Sequence, residues 1–414
     1  MARSIFSRTL VNGLIWSFSL AFFSCQPQTP VAEAQGDLKV MIPMVAQNRG
    51  AIPNPLETVT IKNITSLKNV SGSYVQFFYT PGSSAGSLTG ISPQAKFIRT
   101  NDNVYVPADS LTQQMFSLYY HVQKLNDFNA EISPELKQTR PFQIGLNTQV
   151  EGNASTGKNN AFYDGGSNAL LVVPYTLENI PISVNSGIIA HEFFHSIFFK
   201  QVLANFGIQQ DALLKSAPNK NEALKVFYFN QTYIRGLNEG LADYWGWLYT
   251  DNSDFISASL PKFGHDRKIE LTESLIGKTE TDSDIEDQVS QAQELSKKPT
   301  EYLSSYIYQI GTPHARFLKM LTQKIAVENK SSETLAKLAM AKAIYSYLKH
   351  LSVTTSTFKI NDAVEVDDLF KFFAQPELSG MNLSTDQCDF VLKYINTKEK
   401  SLKGKLCQGT GKDE

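Results

Sequence analysis

Cysteine is scarce in this chain, three residues in 414, and none of them has zinc-finger spacing. Any metal must therefore be sought among other side chains. An excess of charge is also missing: 38 Lys and Arg stand against 40 Asp and Glu, a formal net charge of −2. No stretch is rich in Lys or Arg. Together these remove any electrostatic reason to expect nucleic acid. No repeat of 20–50 residues is present, which excludes a solenoid. The N-terminal apolar run, Leu10 to Phe23, is too short to span a bilayer comfortably. What remains is ordinary globular material, 42% hydrophobic and 19% charged, enough for a large core.

Arg3 and Arg8 precede that apolar run, as in a secretory signal. The run ends at Ser24-Cys25, a pattern like a bacterial lipobox, although Phe22 stands where Leu is usual. Cleavage before Cys25 would leave a thiol to carry lipid and anchor the exported protein to a bacterial membrane. The alternative is a plain secreted protein cut nearby. Removing Cys25 leaves Cys388 and Cys407 as one even pair near the C-terminus. In an oxidising compartment they could close a disulfide; otherwise they are two separate buried thiols.

Four segments are expected: a signal peptide over 1–25, a flexible tether over 26–55, a strand-rich lobe over 56–200 and a mainly helical lobe over 201–414. The tether is polar and rich in Pro, Ala and Gln. Short β-like runs follow, such as Tyr74–Tyr79 and Asn103–Val106, then an amphipathic helix over Ala108–Asp127 with Asp109 or Ser110 near its cap. Strands are predicted at Phe142–Val150 and Ala169–Val173, with Asn160–Tyr163 extended between them. After Pro181 the pattern is helical, including Ser186–Leu203, Ile234–Tyr249 and Thr312–Val327, the last starting at Thr312-Pro313. Strands first and helices later imply an α+β protein of two lobes.

The decisive segment is Ala190-His191-Glu192-Phe193-Phe194-His195. Residues four apart share a helix face, so His191 and His195 can present two imidazole nitrogens to one Zn²⁺. Glu192 is rotated by about 100° from His191, placed to lean toward the open coordination position as general base. Among chains with six histidines, an accidental HExxH arises in on the order of one in a few hundred. A third ligand at a sensible place is rarer still. Here Glu239, on a second predicted helix 44 residues after His195, can complete a His₂Glu site. Asp243, four residues on, can accept the second ring N–H of a ligand histidine.

HEFFH followed by Asn238-Glu239-Gly240-Leu241-Ala242-Asp243 resembles the gluzincin metallopeptidases, in their thermolysin-like and fungalysin-like branch. The resemblance is strong over 159–245, extends to about 320, and implies a zincin-like fold with one zinc ion per chain. It also implies a peptide or protein substrate hydrolysed by zinc-activated water, with Glu192 as base. Asn159-Asn160-Ala161-Phe162-Tyr163 is similar to that family's substrate-binding edge strand, which assigns Asn160 and Ala161 to hydrogen bonds with the substrate backbone. The family's oxyanion-stabilising His has no direct counterpart. Tyr308 or His314 is the candidate for that task, Tyr233 a weaker one, and a structural role for both Tyr308 and His314 stays open. If no such donor exists, the alternative is a catalytically weak, zinc-containing lipoprotein that binds peptide or cell wall.

Residues 204–232 are longer than the family's interval and are expected to form an inserted helix or lid. The acidic residues Asp282, Asp284, Glu286 and Asp287, and Asp251 with Asp254, lack EF-hand spacing and read as solvated loops rather than Ca²⁺ sites. A monomer is expected.

Overall fold

Leu38, Val40 and Ile42 are buried and alternate with more exposed neighbours, the period-2 signature of a strand with one face on a core. This strand, β1 (Gly36–Pro43), lies at the centre of a five-stranded sheet. The computed structural model describes residues 34–44, 55–84, 86–150, 157–269, 279–296, 298–395 and 406–407. The expected tether over 26–55 is therefore wrong for at least Gly36–Pro43. The Pro/Ala/Gln-rich surroundings hide three alternating apolar residues that pair with two neighbouring strands. The signal segment and Cys25 lie outside the described residues.

The first sheet adds β2 (Leu56–Ser66), β3 (Ser71–Gly72), β6 (Phe97–Arg99) and β7 (Val104–Pro107), in the order β3-β2-β1-β7-β6. β1 is antiparallel to β2 and parallel to β7. The second sheet contains β4 (Val75–Ser84), β5 (Ser87–Ile91), β8 (Phe142–Leu146), β9 (Ala161–Asp164) and β10 (Ala169–Val172), in the order β5-β4-β8-β10-β9. β10 is buried at every position, as an interior strand should be, whereas β9 forms one edge. That edge borders a cleft shared with His191, His195 and Glu239.

Between β7 of the first sheet and β8 of the second runs α1 (Ser110–Ile132), capped by Asp109, whose Oδ1 accepts from Thr112 N at 2.8 Å. The cap contributes about 1 kcal/mol. Met115, Phe116, Leu118, Tyr119 and Val122 are fully buried, at roughly 1.5–3 kcal/mol for each large side chain, so packing rather than capping holds this helix. It packs on β1 and β2 and against α2 (Ser186–Phe198).

α2 does not stop where its α geometry ends. Phe199–Leu203 is a π-helical turn, with Ala204 N–H donating to Phe199 O, and α3 (Ala204–Ser216) continues it. The lobe boundary expected at 200/201 thus falls inside one uninterrupted helical run. α4 (Lys220–Thr250) follows after a short turn, so residues 204–232 are α3 and the first turns of α4. Among the described residues the remaining α-helices are α5 (Pro261–Gly264), α6 (Asp282–Leu295), α7 (Pro299–Tyr302), α8 (Tyr306–Glu328), α9 (Glu333–Ser356), α10 (Asp368–Phe373), α11 (Pro376–Ser379) and α12 (Thr385–Leu392). α8 begins six residues before the expected Thr312-Pro313 start and carries Pro313 in its interior.

The protein is thus α+β, with two mixed sheets in a strand-rich N-terminal region and a helical C-terminal region. From Ala34 onward the chain is one compact unit, and one apolar core runs through it from Leu38 to Leu406. A disulfide joins Cys388 on α12 to Cys407, with Cα atoms 6.0 Å apart. Among the described residues, no helix is long and apolar enough to cross a membrane.

His121 and His314 are buried in this core, and burial lowers the pKa of each to about 4. The unfolded chain protonates them near the ordinary value of about 6.5, so their contribution to stability is present above that pH and is lost as pH falls toward 4. His314→Gln, which keeps a donor for Ile310 O and cannot charge, should lose about 2 kcal/mol less stability than the parent between pH 7 and 4.5. Urea unfolding at the two pH values measures this.

Candidate metal centre

α2 is apolar on most of its surface: Ile188, Ile189, Phe193, Phe194 and Phe198 are all buried. Its start is fixed by Asn185. That side chain's Oδ1 accepts from Gly187 N and Ile188 N at 3.1 and 3.3 Å, and its Nδ2 donates to Phe255 O at 2.8 Å. Such a helix can carry His191 and Glu192, only 5% and 7% exposed, when each finds a partner.

The partners come from α4, which crosses both α2 and α8 at glycines. A Cβ on Gly240 would sit 2.2 Å from Gly311 O, and one on Gly311 would sit 2.5 Å from Gly236 O. A Cβ on Gly246 would lie 2.9 Å from Gly187 O. These approaches bring Glu239 and Asp243 of α4 up to the histidines of α2.

His191 Nε2 and His195 Nε2 are 3.0 Å apart; Glu239 Oε2 is 3.5 Å from the first and Oε1 is 3.8 Å from the second. Three ligands of a tetrahedral ion, each bonded at about 2.05 Å, would be about 3.3 Å from one another. The outer nitrogens decide the tautomers. His191 Nδ1 is 2.9 Å from Asp243 Oδ1, and a carboxylate only accepts, so Nδ1 carries the proton. His195 Nδ1 is 3.0 Å from Asn238 Oδ1 and donates likewise. In the neutral rings both Nε2 lone pairs then face each other and a carboxylate, an arrangement that calls for a cation. His191, His195 and Glu239 could therefore hold a metal ion.

The charges agree. Burial opposes charge on His191, but Asp243 and Glu239 outweigh it and hold its pKa near 10; a metal would take that proton's place. Burial lowers His195 to about 4. Burial alone would raise Glu239, yet His195, His191 and Arg267 bring it down to about 2. Glu192 goes the other way: burial lifts it to about 7, with His191 only partly offsetting. Its Oε2 accepts from Tyr163 N at 3.0 Å, and its Oε1 is 4.0 Å from His191 Nε2.

Arg267 is a contributor that the sequence does not reveal, because it stands in no motif. Its Nε and a terminal nitrogen donate to both oxygens of Asp243, at 3.0 and 2.6 Å, and that terminal nitrogen is 3.5 Å from Glu239 Oε2. Its guanidinium also lies over the ring of Tyr308, 4.3 Å from the centroid. Asn238, adjacent to Glu239, could have been suspected from position; Arg267 had no such signal.

The centre opens into a cleft of about 260 Å³ lined by Asn160, Ala161, His191, Glu192, Glu239 and Tyr308, among others. Tyr308 is thus beside His191 and Glu239, and its proximity to Glu239 raises its pKa. His314 is not. It lies buried six residues further along α8, its Nδ1 on Ile310 O at 2.8 Å and its ring stacked on Phe370. Tyr233 is also removed from the cleft and donates to Val366 O. The α8 helix starts early, so the turn carrying Tyr308 faces the ligands and His314 faces the core.

β9 runs along the cleft. Asn160 O accepts from Val173 N, so the next outward-facing residues are Ala161 and Tyr163. Tyr163 N–H is taken by Glu192, and Ala161 N–H by the side chain of Asn160 at 2.9 Å. No protein-family model matches this chain, and no curated protein matches it.

Two substitutions test the construction. Asp243→Asn should weaken metal binding by about 10–100-fold, since it loosens His191 and frees Arg267. Gly240→Ala should lower stability by about 1–3 kcal/mol through overpacking and widen the ligand triangle. Metal titration with a competing chelator and thermal unfolding measure the two effects.

Proposed function

We propose that this protein is a zinc-dependent peptidase of the gluzincin type. The observation that carries the proposal is the meeting of a His₂Glu cluster, a separate buried carboxylate and an open sheet edge in one cleft. Zinc suits two imidazoles and one carboxylate, and when bound there it would supply a Lewis acid and a water of lowered pKa.

The chain's own groups supply the rest. A peptide lying along β9 donates a main-chain N–H to the outward Ala161 C=O, since the outward N–H groups of Ala161 and Tyr163 are engaged by Asn160 and Glu192, and selection is left to side-chain pockets. Glu192, poised near pH 7 by burial and aimed by Tyr163 N–H, takes a proton from the attacking water and returns it to the leaving amine. The Tyr308 phenol is a neutral donor at that pH and stabilises the developing oxyanion. Arg267 keeps Asp243 ionised and Tyr308 in place.

The N-terminal pattern supports export with lipid on Cys25, and the Cys388–Cys407 disulfide fits an oxidising compartment.

Glu192→Gln should retain stoichiometric zinc while kcat/KM for an unstructured peptide falls about 10²–10⁴-fold. Tyr308→Phe should lower kcat by about 10²-fold or more with KM little changed. Normal activity in Glu192→Gln would remove the mechanism. Stoichiometric zinc without any cleavage by the parent protein would leave a zinc-containing peptide- or cell-wall-binding lipoprotein as the reading.

A further inference from the structure

Past His195 the helical run continues along the cleft, and its next turn forms a wall there. Phe199 and Leu203 line the same opening as His191 and His195, a series of four residues spaced by four. An ideal α-helix carries such a series out of line. Four residues advance about 400°, an overshoot of about 40°, and by Leu203 the overshoot from His191 would reach about 120°. The turn Phe199–Leu203 is π-helical, with Ala204 N–H donating to Phe199 O five residues back. Each residue of such a turn advances less, which takes back part of the drift and keeps Leu203 on the cleft.

The wall is also held in place. A Cβ on Gly165 would lie 2.2, 2.5 and 2.6 Å from three atoms of the Phe199 ring, so that ring rests directly on the Gly165 backbone. Tyr163 meets it edge-on, with centroids 5.9 Å apart. Tyr163 is itself fixed, by stacking on Phe142 and by its hydroxyl, which donates to Asn168 Oδ1 at 2.8 Å. Two aromatic rings are thus set before a ligand arrives, which spares binding the cost of ordering them.

The chemistry of the wall selects its occupant. Among the described residues, the ionisable side chains lining the cleft other than tyrosine are His191, Glu192, His195, Glu239 and Arg267. All five are engaged with one another at the candidate metal centre. An acidic or basic side chain lodged against Phe199 and Leu203 would lose water and gain no partner, whereas a large apolar one gains by burial. Direction follows from the strand. β9 runs from Ala161 to Asp164 and is antiparallel to β10. A peptide added to its free edge in the same antiparallel sense, the more stable pairing, passes Gly165 with its amino-terminal half.

We propose that Phe199, Leu203 and Tyr163 form a specificity pocket for a large apolar or aromatic residue on the amino side of the bond to be cut. Leu203, kept on the cleft by the π-helical turn, sets the charge preference of the pocket. That role in selection rests on the peptidase reading, whereas binding of the side chain does not.

Acetyl-amino-acid hydroxamates test the pocket without catalysis, because the hydroxamate takes the metal and the side chain lies on its amino side. Calorimetric titration of the zinc-loaded protein compares the Phe, Leu, Ala, Asp and Lys compounds. Phe should bind about tenfold or more tightly than Ala, with Leu between, and Asp and Lys no more tightly than Ala. Leu203→Lys, at a half-buried position, should raise the affinity of Asp relative to Phe by about fivefold or more. Leu203→Ala should lower the preference for Phe about threefold or more, and serves where the lysine variant does not fold. Absence of saturable binding, equal affinity for Phe and Ala, or a preference that neither variant moves overturns the pocket. Sequencing the products cut from a mixed peptide library gives a second readout. The parent should enrich Phe, Tyr or Leu on the amino side of the cut, and Leu203→Lys should enrich Asp or Glu there. Cleavage without that enrichment overturns the role in selection and leaves the peptidase reading standing. Hydroxamates that bind in the expected order to a protein that cleaves nothing overturn the peptidase reading and leave the pocket.

Discussion

Where α4 crosses α8, the backbone of Gly240 lies against the carbonyl of Gly311, with no room for a side chain between them. The same helix meets α2 at Gly246 and Gly187. Everything at the candidate metal centre depends on this closeness. His191 and His195 stand on α2, Glu239 and Asp243 on α4, and Tyr308 on α8, so the separation of three helix axes sets the size of one ligand triangle. Larger residues at the crossings would push the axes apart, and the carboxylates would be left buried without their partners.

That closeness concentrates charge. Glu239 and Asp243 are both ionised within the protein, and neither could stay so alone. Asp243 is shared between His191 Nδ1 and the fork of Arg267, which fixes the histidine tautomer and neutralises the carboxylate at once. Glu192 is treated differently. It receives one backbone N–H and little opposing charge, and so remains near the point of titration. Two glutamates a few ångströms from the same imidazole are thus driven to opposite ends of the carboxylate range by their surroundings.

Much of this could be read from the order of residues. Helical spacing alone brings His191 to His195 and Glu239 to Asp243, because a turn of helix is a local geometry. The α+β class followed from equally local patterns. Non-local facts were hidden. β1 is hidden because the alternation of Leu38, Val40 and Ile42 signals a strand only once β2 and β7 flank it. Arg267 reaches the centre from a loop, and the disposition of Tyr308 and His314 turned on where α8 begins. Pro313 looked like a helix start, whereas packing against α4 carries the helix back to Tyr306.

The π-helical turn at Phe199–Leu203 holds one residue more per turn than the helix it interrupts. Deleting a single residue there would return the run to α geometry and remove the bulge that sets Phe199 and Leu203 against the cleft. His191 and His195, upstream, would keep their places, while Leu203 would swing away from the cleft wall. An insertion or deletion in this one turn is therefore a means by which descendants of this chain could reshape the cleft and leave the ligands untouched.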